Sequence, residues 1–327
     1  MTNFQVYKKV LPFSLIQFLV DLGILAVLGG SCVGGFFIAD KATNKGLIGL
    51  AIGLVVGIIL AVLLNVFVSN RIKAAQIAMM VKGVTDGKLP DHVLGEGFNE
   101  VKGRFGKITL FFFITGAIKG IFNQLGRAIT KLGSAIGGDV GGGIASAVNS
   151  AIQTVIAYLC DCCLGWILYR KEQNSVTAAC EGTVIFFKHG KALARNVGRI
   201  FGLGLGSLLL IGGAFFGLLV LIFFQLPAMF QTLANEILEA ANRGDVEVPG
   251  FLTDPKILSI IVAAVGAIII WSMIHAMLIR PFILVGVLRN FMEAGRKDIP
   301  VESDFAALEA QSPRFSRFRR KAAEKGN

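Results

Sequence analysis

This sequence has few of the residues from which catalytic and metal sites are usually built. Its 327 residues include only three His and five Cys, and no His-Glu-x-x-His, Gly-x-Ser-x-Gly or phosphate-loop motif occurs in it. The cysteine spacing fits no extracellular disulfide framework. Cys160 and Cys163 share a helix face, but two thiolates fall short of the four ligands of a structural zinc ion. The sequence therefore predicts no catalytic residue, no cofactor and no metal site.

Charged residues are also scarce, and the acidic ones are outnumbered. They make up 16% of the chain, against 54% hydrophobic residues, and the mean hydropathy is +0.70. These values fit a membrane protein better than a soluble domain. The net charge of +11 would suggest nucleic-acid binding in a soluble protein. Here the basic residues flank apolar runs, so we expect anionic lipid of the cytoplasmic leaflet as a partner and no specific nucleic acid.

Six long apolar runs account for this composition. About 20 apolar residues span a bilayer as a helix, and no soluble domain needs six such runs. We therefore predict an all-α, polytopic membrane protein of about six transmembrane helices with short interfacial amphipathic helices. The predicted transmembrane domain covers residues 1–289, and a basic cytoplasmic tail covers 290–327. The apolar runs are residues 11–39, 46–69, 108–125, 144–169, 200–224 and 257–279.

The distribution of basic residues between the runs predicts the orientation. Residues 70–107, 170–199 and 280–327 carry seven, six and ten Lys or Arg, whereas the other connecting segments carry two each. By the positive-inside rule, both termini are cytoplasmic and the loops after the first, third and fifth runs lie outside, as expected in a plasma or inner membrane. The third run is short and contains Lys119, but omitting it alone would place the basic tail outside.

Small residues at four-residue spacing predict close contacts between helices. Such stripes let two helix backbones approach closely. The short connection between the first two runs favours packing of the stripes within one hairpin, and the alternative is a homo-oligomer joined through a small-residue face. The stripes are Ala26, Gly30 and Gly34 in the first run and Gly49, Gly53, Gly57 and Ala61 in the second.

The three strongly basic segments resemble one another. Each begins at an Arg that ends an even-numbered run, continues as a mildly amphipathic stretch and then reaches a Gly beside a basic residue. The initial arginines are Arg71, Arg170 and Arg280. This pattern suggests three repeats of a two-helix hairpin plus one cytoplasmic helix, and repeats of spanning helices often build a binding site at their interface.

Polar residues inside the runs are functional candidates, because charge at bilayer depth is costly. Asp21, Lys119 and Asp161 lie at similar predicted depths, counted at about 1.5 Å per residue from the cytoplasmic ends, so Lys119 can pair with either carboxylate. In the functional interpretation, a carboxylate takes a proton or cation and Lys119 is its counter-ion. In the structural interpretation, an ion pair fixes the order of the helices. The full set, which we name the polar seam, is Asp21, Lys119, Asn149, Gln153, Asp161 and His275.

Two cytoplasmic segments have the composition of lipid-binding surfaces. Basic residues mixed with apolar ones suit a helix in the headgroup region, and basic residues interleaved with Phe bind anionic lipid through charge and shallow aromatic insertion. For the Phe-containing segment, RNA is an alternative ligand, and a solvated tail that only sets topology is another interpretation. The predicted lipid-binding residues are Lys188, Lys191 and Arg195 in the first segment and Arg314, Arg317, Arg319, Arg320 and Lys321 in the second.

The sequence favours a transporter or channel-like protein for a small solute or ion, which requires that the polar seam face a common cavity. The alternative is a non-transport membrane scaffold that binds anionic lipid or partner proteins, with the same residues paired off. A membrane enzyme would instead need a pocket at headgroup depth with convergent acid and base groups. No motif in the sequence decides between the three.

Overall fold

The structure, a computed structural model, has helices joined by short turns and no strand in the part of the chain that it describes. It describes residues 1–43, 46–104, 114–124, 142–193, 195–243 and 248–326, with the backbone alone in 142–152, in 190–193 and 195–199, and at a few helix ends. The all-α prediction is confirmed for these ranges. The α-helices are α1 (Asn3–Thr43), α2 (Gly46–Leu64), α3 (Asn70–Thr85), α4 (Val93–Arg104), α5 (114–124), α6 (Gly142–Tyr169), α7 (Ser175–Leu193), α8 (Arg195–Ser207), α9 (Gly213–Phe224), α10 (Pro227–Arg243), α11 (Pro255–Ile274), α12 (Arg280–Lys297), α13 (Glu302–Gln311) and α14 (Pro313–Gly326).

Four of the described helices are long and apolar enough to cross a membrane. They contain the first, second, fifth and sixth apolar runs. Residues 108–113 and 125 of the third run and the side chains of residues 144–152 in the fourth run lie outside the described part of the chain, and residues 153–169 form a shorter apolar helix. The structure is therefore consistent with a membrane protein, whereas the count of six spans stays a prediction. The four helices are Asn3–Ala42, Ile48–Thr85, Ile200–Phe224 and Pro255–Lys297.

The chain folds as two compact units. The first comprises Met1–Ile200 and Arg280–Asn327, and the second comprises Phe201–Ile279. The predicted basic tail is part of the first unit, where its residues Leu308 and Phe315 are fully buried. The tail is therefore folded onto the core of that unit, because its apolar side chains find partners there.

The core of the first unit contains α3, α12, α7 and the second half of α6. α3 buries ten residues from Ile72 to Gly83, and α12 buries ten from Pro281 to Gly295. Trp166 of α6 is fully buried as well. Where the sequence led us to expect interfacial amphipathic helices, α3 and α12 are core helices, since their central stretches, residues 74–81 and 283–288, are buried on every side.

The two long apolar helices of the first unit continue into this core. α2 passes through a five-residue π-helical turn, Asn65–Ser69, directly into α3. A π turn accommodates an extra residue without ending the helix. At the start of the chain, α1 buries Val6, Val10 and Phe13 before its apolar run begins to face outward. The helix therefore does not end where the second apolar run ends. It continues from an exposed apolar segment, α2, into a buried one, α3.

α2 packs closely on α1 through its predicted small-residue stripe, whereas Gly30 and Gly34 of the predicted α1 stripe lie away from this contact. A Cβ atom added at Gly53 would overlap the backbone carbonyl oxygen of Ser31, and one added at Gly49 would overlap that of Gly35. By contrast, a Cβ added at Gly34 would meet no atom within 4 Å. The stripe of α2 is therefore used inside the hairpin, as expected, while oligomerisation through a small-residue face stays a prediction.

The second unit is a hairpin of α9 and α11 with α10 packed against it. Phe230 and Ala234 of α10 are buried together with Leu258 of α11. Near the other end of the hairpin, Trp271 Nε1 donates a hydrogen bond to Ser207 Oγ at 3.2 Å. The apolar face of α10 thus covers one end of the hairpin.

Gly53→Ala should destabilise the protein by about 1–3 kcal/mol, the usual cost of overpacking a tight contact, because the backbone of Ser31 cannot move away as a side chain can. Thermal unfolding of the full chain in detergent micelles measures this change. Gly34→Ala is the matched control and should be neutral or stabilising, since alanine is the better helix former. Equal melting temperatures for the two variants would contradict the close approach of α1 and α2.

Candidate functional site

A buried carboxylate on α6 is the centre of the candidate site. The side chain of Asp161 is only 5% exposed. Lys73 Nζ of α3 lies 2.6 Å from Asp161 Oδ1, and Arg280 Nη2 of α12 donates a hydrogen bond to Oδ2 at 3.0 Å. The guanidinium of Arg280 also lies 5.8 Å from the ring centre of Tyr158. Because a buried charge needs partners, the two cations hold three helices of the first unit around one carboxylate.

Beside this ion cluster lies a cleft of about 470 Å³ between α3, α5 and α6. Lys73 and Asp161 form part of its wall, and Lys119 of α5 is an exposed ammonium on the same wall. The volume falls within the range of small-molecule sites. Its lining residues are Asn70, Lys73, Thr115, Gly116, Lys119, Gln153, Ile156, Ala157, Cys160, Asp161 and Leu164.

The charges around the cleft do not balance. Among the described residues that line it or contact Asp161, Lys73, Lys119 and Arg280 carry positive charge, and Asp161 is the one carboxylate. Two positive charges therefore remain in excess. Such a surplus beside polar side chains favours the binding of an anion.

The structure brings part of the polar seam together. Lys119, Gln153 and Asp161 line the cleft. Asp21 instead accepts a hydrogen bond from Gln17 Nε2 at 2.8 Å, one turn away on α1. His275 belongs to the second unit, where its ring centre lies 5.2 Å from that of Trp271, and the side chain of Asn149 lies outside the described residues.

The partners of Asp161 were missed by reasoning from the sequence, which paired the residue with Lys119. Lys73 and Arg280 follow apolar runs and were assigned to cytoplasmic segments, so neither entered the polar seam. A signal was present at Lys73, which precedes a stretch of α3, residues 74–81, that is apolar apart from Gln76. A helix that is apolar on all sides is buried, and a lysine in such a helix needs a carboxylate within reach.

A second buried carboxylate, Glu181 of α7, ties that helix to the end of α6. Trp166 Nε1 donates a hydrogen bond to Glu181 Oε2 at 3.0 Å, and Gln173 Nε2 donates one to Oε1 at 2.7 Å. Arg170 Nε lies 3.2 Å from Oε2. All oxygens of this carboxylate are therefore engaged by the protein, which indicates a structural role.

The predicted lipid-binding residue Lys188 is engaged inside the protein. Its Nζ donates to Asp298 at 2.8 Å and to Asp304 at 2.9 Å, and these bonds raise the pKa of Lys188. The backbone N–H of Val301, followed by Lys188, lowers the pKa of Asp304. Lys188 thus joins α7 to α13. The side chains of Lys191 and Arg195 lie outside the described residues.

The tail helix α14 has one buried apolar face and a basic face that lines a pocket. Phe315 and Phe318 are buried in the protein, so they are not available for the shallow insertion into lipid that the sequence suggested. Arg319 pairs with Glu302 at 2.6 Å, and this carboxylate raises the pKa of Arg319. The other predicted basic residues of the tail, Arg314, Arg317, Arg320 and Lys321, line a separate pocket against α5.

Asp161→Asn should lower stability by about 1–3 kcal/mol, because it leaves the partly buried charges of Lys73 and Arg280 without their carboxylate. Thermal unfolding in detergent measures the loss. Asp21→Asn is the matched control, since an amide can still accept from Gln17, and it should change stability by less than about 0.5 kcal/mol. A larger loss for Asp21→Asn than for Asp161→Asn would contradict the assignment of Asp161 as the central charge.

Comparison with known proteins gives no information on the function of this site. No family model matches the sequence, and no curated protein and no solved structure matches the chain. The function is therefore argued from the cleft and the charges around it.

Proposed function

We propose that this chain is a multi-pass membrane protein of the transporter or channel-like class, acting on a small anionic solute. The cleft between α3, α5 and α6, which the four-span topology proposed below places on the cytoplasmic side, is the proposed site at which the solute binds. The observation that carries the proposal is the excess of positive charge among the described residues that line the cleft or pair with its carboxylate. Arranged around a volume of about 470 Å³, these charges suit a small anion better than an apolar ligand.

The pairing of Asp161 favours an anion over a cation or proton as the solute. A carboxylate that binds a cation must offer it free oxygen atoms. Both oxygens of Asp161 already accept from the protein, one from Lys73 and one from Arg280. A bound anion would instead gain charge-assisted hydrogen bonds from the exposed ammonium of Lys119. In this proposal Asp161 is a positioning residue for Lys73, and Lys119 contacts the solute.

We further propose a topology of four spans instead of six. Gln124 at the end of the third apolar run accepts hydrogen bonds from Ser312 Oγ at 3.0 Å and from the backbone of Arg314 at 3.3 Å. The topology with six spans would put Gln124 outside and the tail inside. A contact between them is incompatible with that separation, so it argues that α5 lies on the same side of the membrane as the tail.

The distribution of charge agrees equally well with four spans. Without the third and fourth spans, residues 70–199 form one cytoplasmic segment with sixteen Lys or Arg against eight acidic residues. Residues 225–256 remain outside, with two basic and five acidic residues. The number of spans is still even, so both termini stay cytoplasmic by the positive-inside rule.

A single cysteine at position 124 distinguishes the two topologies. In a background of Cys32→Ala and Cys160→Ala, where the remaining thiols are buried, Gln124→Cys should react with a membrane-impermeant maleimide only from the cytoplasmic side. Asn174→Cys is the cytoplasmic control and Glu236→Cys the outside control, since both positions are exposed. Labelling of position 124 from outside would restore the topology with six spans.

Lys119→Gln should reduce anion flux through proteoliposomes about tenfold or more at subsaturating concentration, because a hydrogen bond to a charged group contributes about 1.5–3 kcal/mol. Uptake of radiolabelled chloride and of inorganic phosphate measures the effect. Lys8→Gln removes the same charge from an exposed position on α1 and should leave flux unchanged.

The outcome of this assay decides the proposal in both directions. Loss of flux in Lys119→Gln with normal flux in Lys8→Gln supports an anion site in the cleft. Uptake of Na⁺ or K⁺ in place of both anions, or the absence of any flux from the parent protein, would overturn it.

A further inference from the structure

A second cavity, of about 300 Å³, lies between α5 and the tail helix α14. Gly116 and Gly120 form part of its wall on α5, and four cations line it from α14. Among the described residues that line this pocket, none is acidic. The four cations are Arg314, Arg317, Arg320 and Lys321.

The packing of α14 fixes this basic face in place. Phe315 is fully buried and stacks on Phe305 of α13, with ring centres 6.5 Å apart. Phe318 is buried beside it. Because these rings hold one side of the helix in the core, the cations on the adjacent side are held facing α5 without any ligand to order them. Such preorganisation lowers the entropic cost of binding.

Contacts at the two ends of the pocket hold its walls together. Arg314 Nη1 donates a hydrogen bond to the carbonyl oxygen of Gly120 at 3.1 Å, and the backbone of Arg314 donates to Gln124. Arg319, by contrast, is directed to Glu302 and Glu309 of α13. The carboxylates of α13 therefore neutralise Arg319, whereas no acidic residue is among the described residues that line the pocket with Arg314, Arg317 and Arg320.

We propose that this pocket binds the phosphate group of an acidic phospholipid. Arginine side chains recognise phosphate through paired N–H donors, and clusters of basic residues on the cytoplasmic side of a membrane protein bind anionic headgroups. Ala117, Ile121 and Phe318 give the pocket an apolar part, which suits the glycerol end of a lipid and would be of no use to free phosphate.

The proposal goes beyond the cleft and its solute and can fail independently of them. Gly116 lines both cavities, but the pocket cations are all on α14, and none of them lines the cleft. Substitution on α14 therefore tests the lipid site without touching Lys73, Lys119 or Asp161.

The test is a titration of the full-length chain in nonionic detergent with dioctanoyl phosphatidic acid, followed by isothermal titration calorimetry. The variant Arg317→Gln/Lys321→Gln should bind the lipid at least about tenfold more weakly. Both positions are exposed, so the fold is expected to persist. The control Lys8→Gln/Lys9→Gln removes the same charge from exposed positions and should bind like the parent protein. The variant Arg317→Lys/Lys321→Arg keeps the charges and should restore most of the binding.

Dioctanoyl phosphatidylcholine and inorganic phosphate complete the design. Weak binding of both supports an acidic lipid as the ligand. Inorganic phosphate that binds as tightly as the acidic lipid would overturn the lipid assignment in favour of a soluble phosphate. Equal losses in the two glutamine double variants, or no binding by the parent protein, would overturn the site itself.

Discussion

The buried carboxylate of Asp161 is the constraint on which the first unit depends. An ion in an apolar interior is tolerated only when it is paired and hydrogen-bonded, and the next residues along α6, Cys162 and Cys163, are fully buried. Lys73 and Arg280 meet this requirement from two other helices. The position of α3 and α12 along α6 is thereby limited to the register that brings both cations to one carboxylate.

This cluster also shapes the chemistry of its surroundings. Since one carboxylate is shared by two cations, the adjoining cleft keeps positive charge on its wall, to which Lys119 adds. α5 separates the cleft from the basic pocket of α14, and a Cβ added at Gly116 between them would meet no atom within 4 Å. The cleft and the basic pocket therefore both offer an electropositive environment to an anion.

Sequence patterns predicted the helices better than they predicted whether the side chains of those helices face lipid or the protein core. Run length predicted the long apolar helices, and the small-residue stripe predicted the close approach of Gly53 to α1. The same reasoning treated α3 as interfacial because it follows a span and carries Arg71 and Lys73. It treated Phe315 and Phe318 as lipid-facing because they alternate with arginine. In both places an apolar side chain could be buried either in lipid or in the protein core. Which of the two occurs depends on whether the fold brings a packing partner to that side chain.

The sequence by itself determined that the chain is helical and suited to a membrane. That follows because the transfer of a helix into a bilayer is close to a sum over its own residues. The tertiary structure alone decided which charges pair, which cavities form and which tail residues stay available to a ligand. Those outcomes depend on contacts such as that between Arg280 and Asp161, 119 residues apart, and no local pattern of residues specifies a distance across the fold.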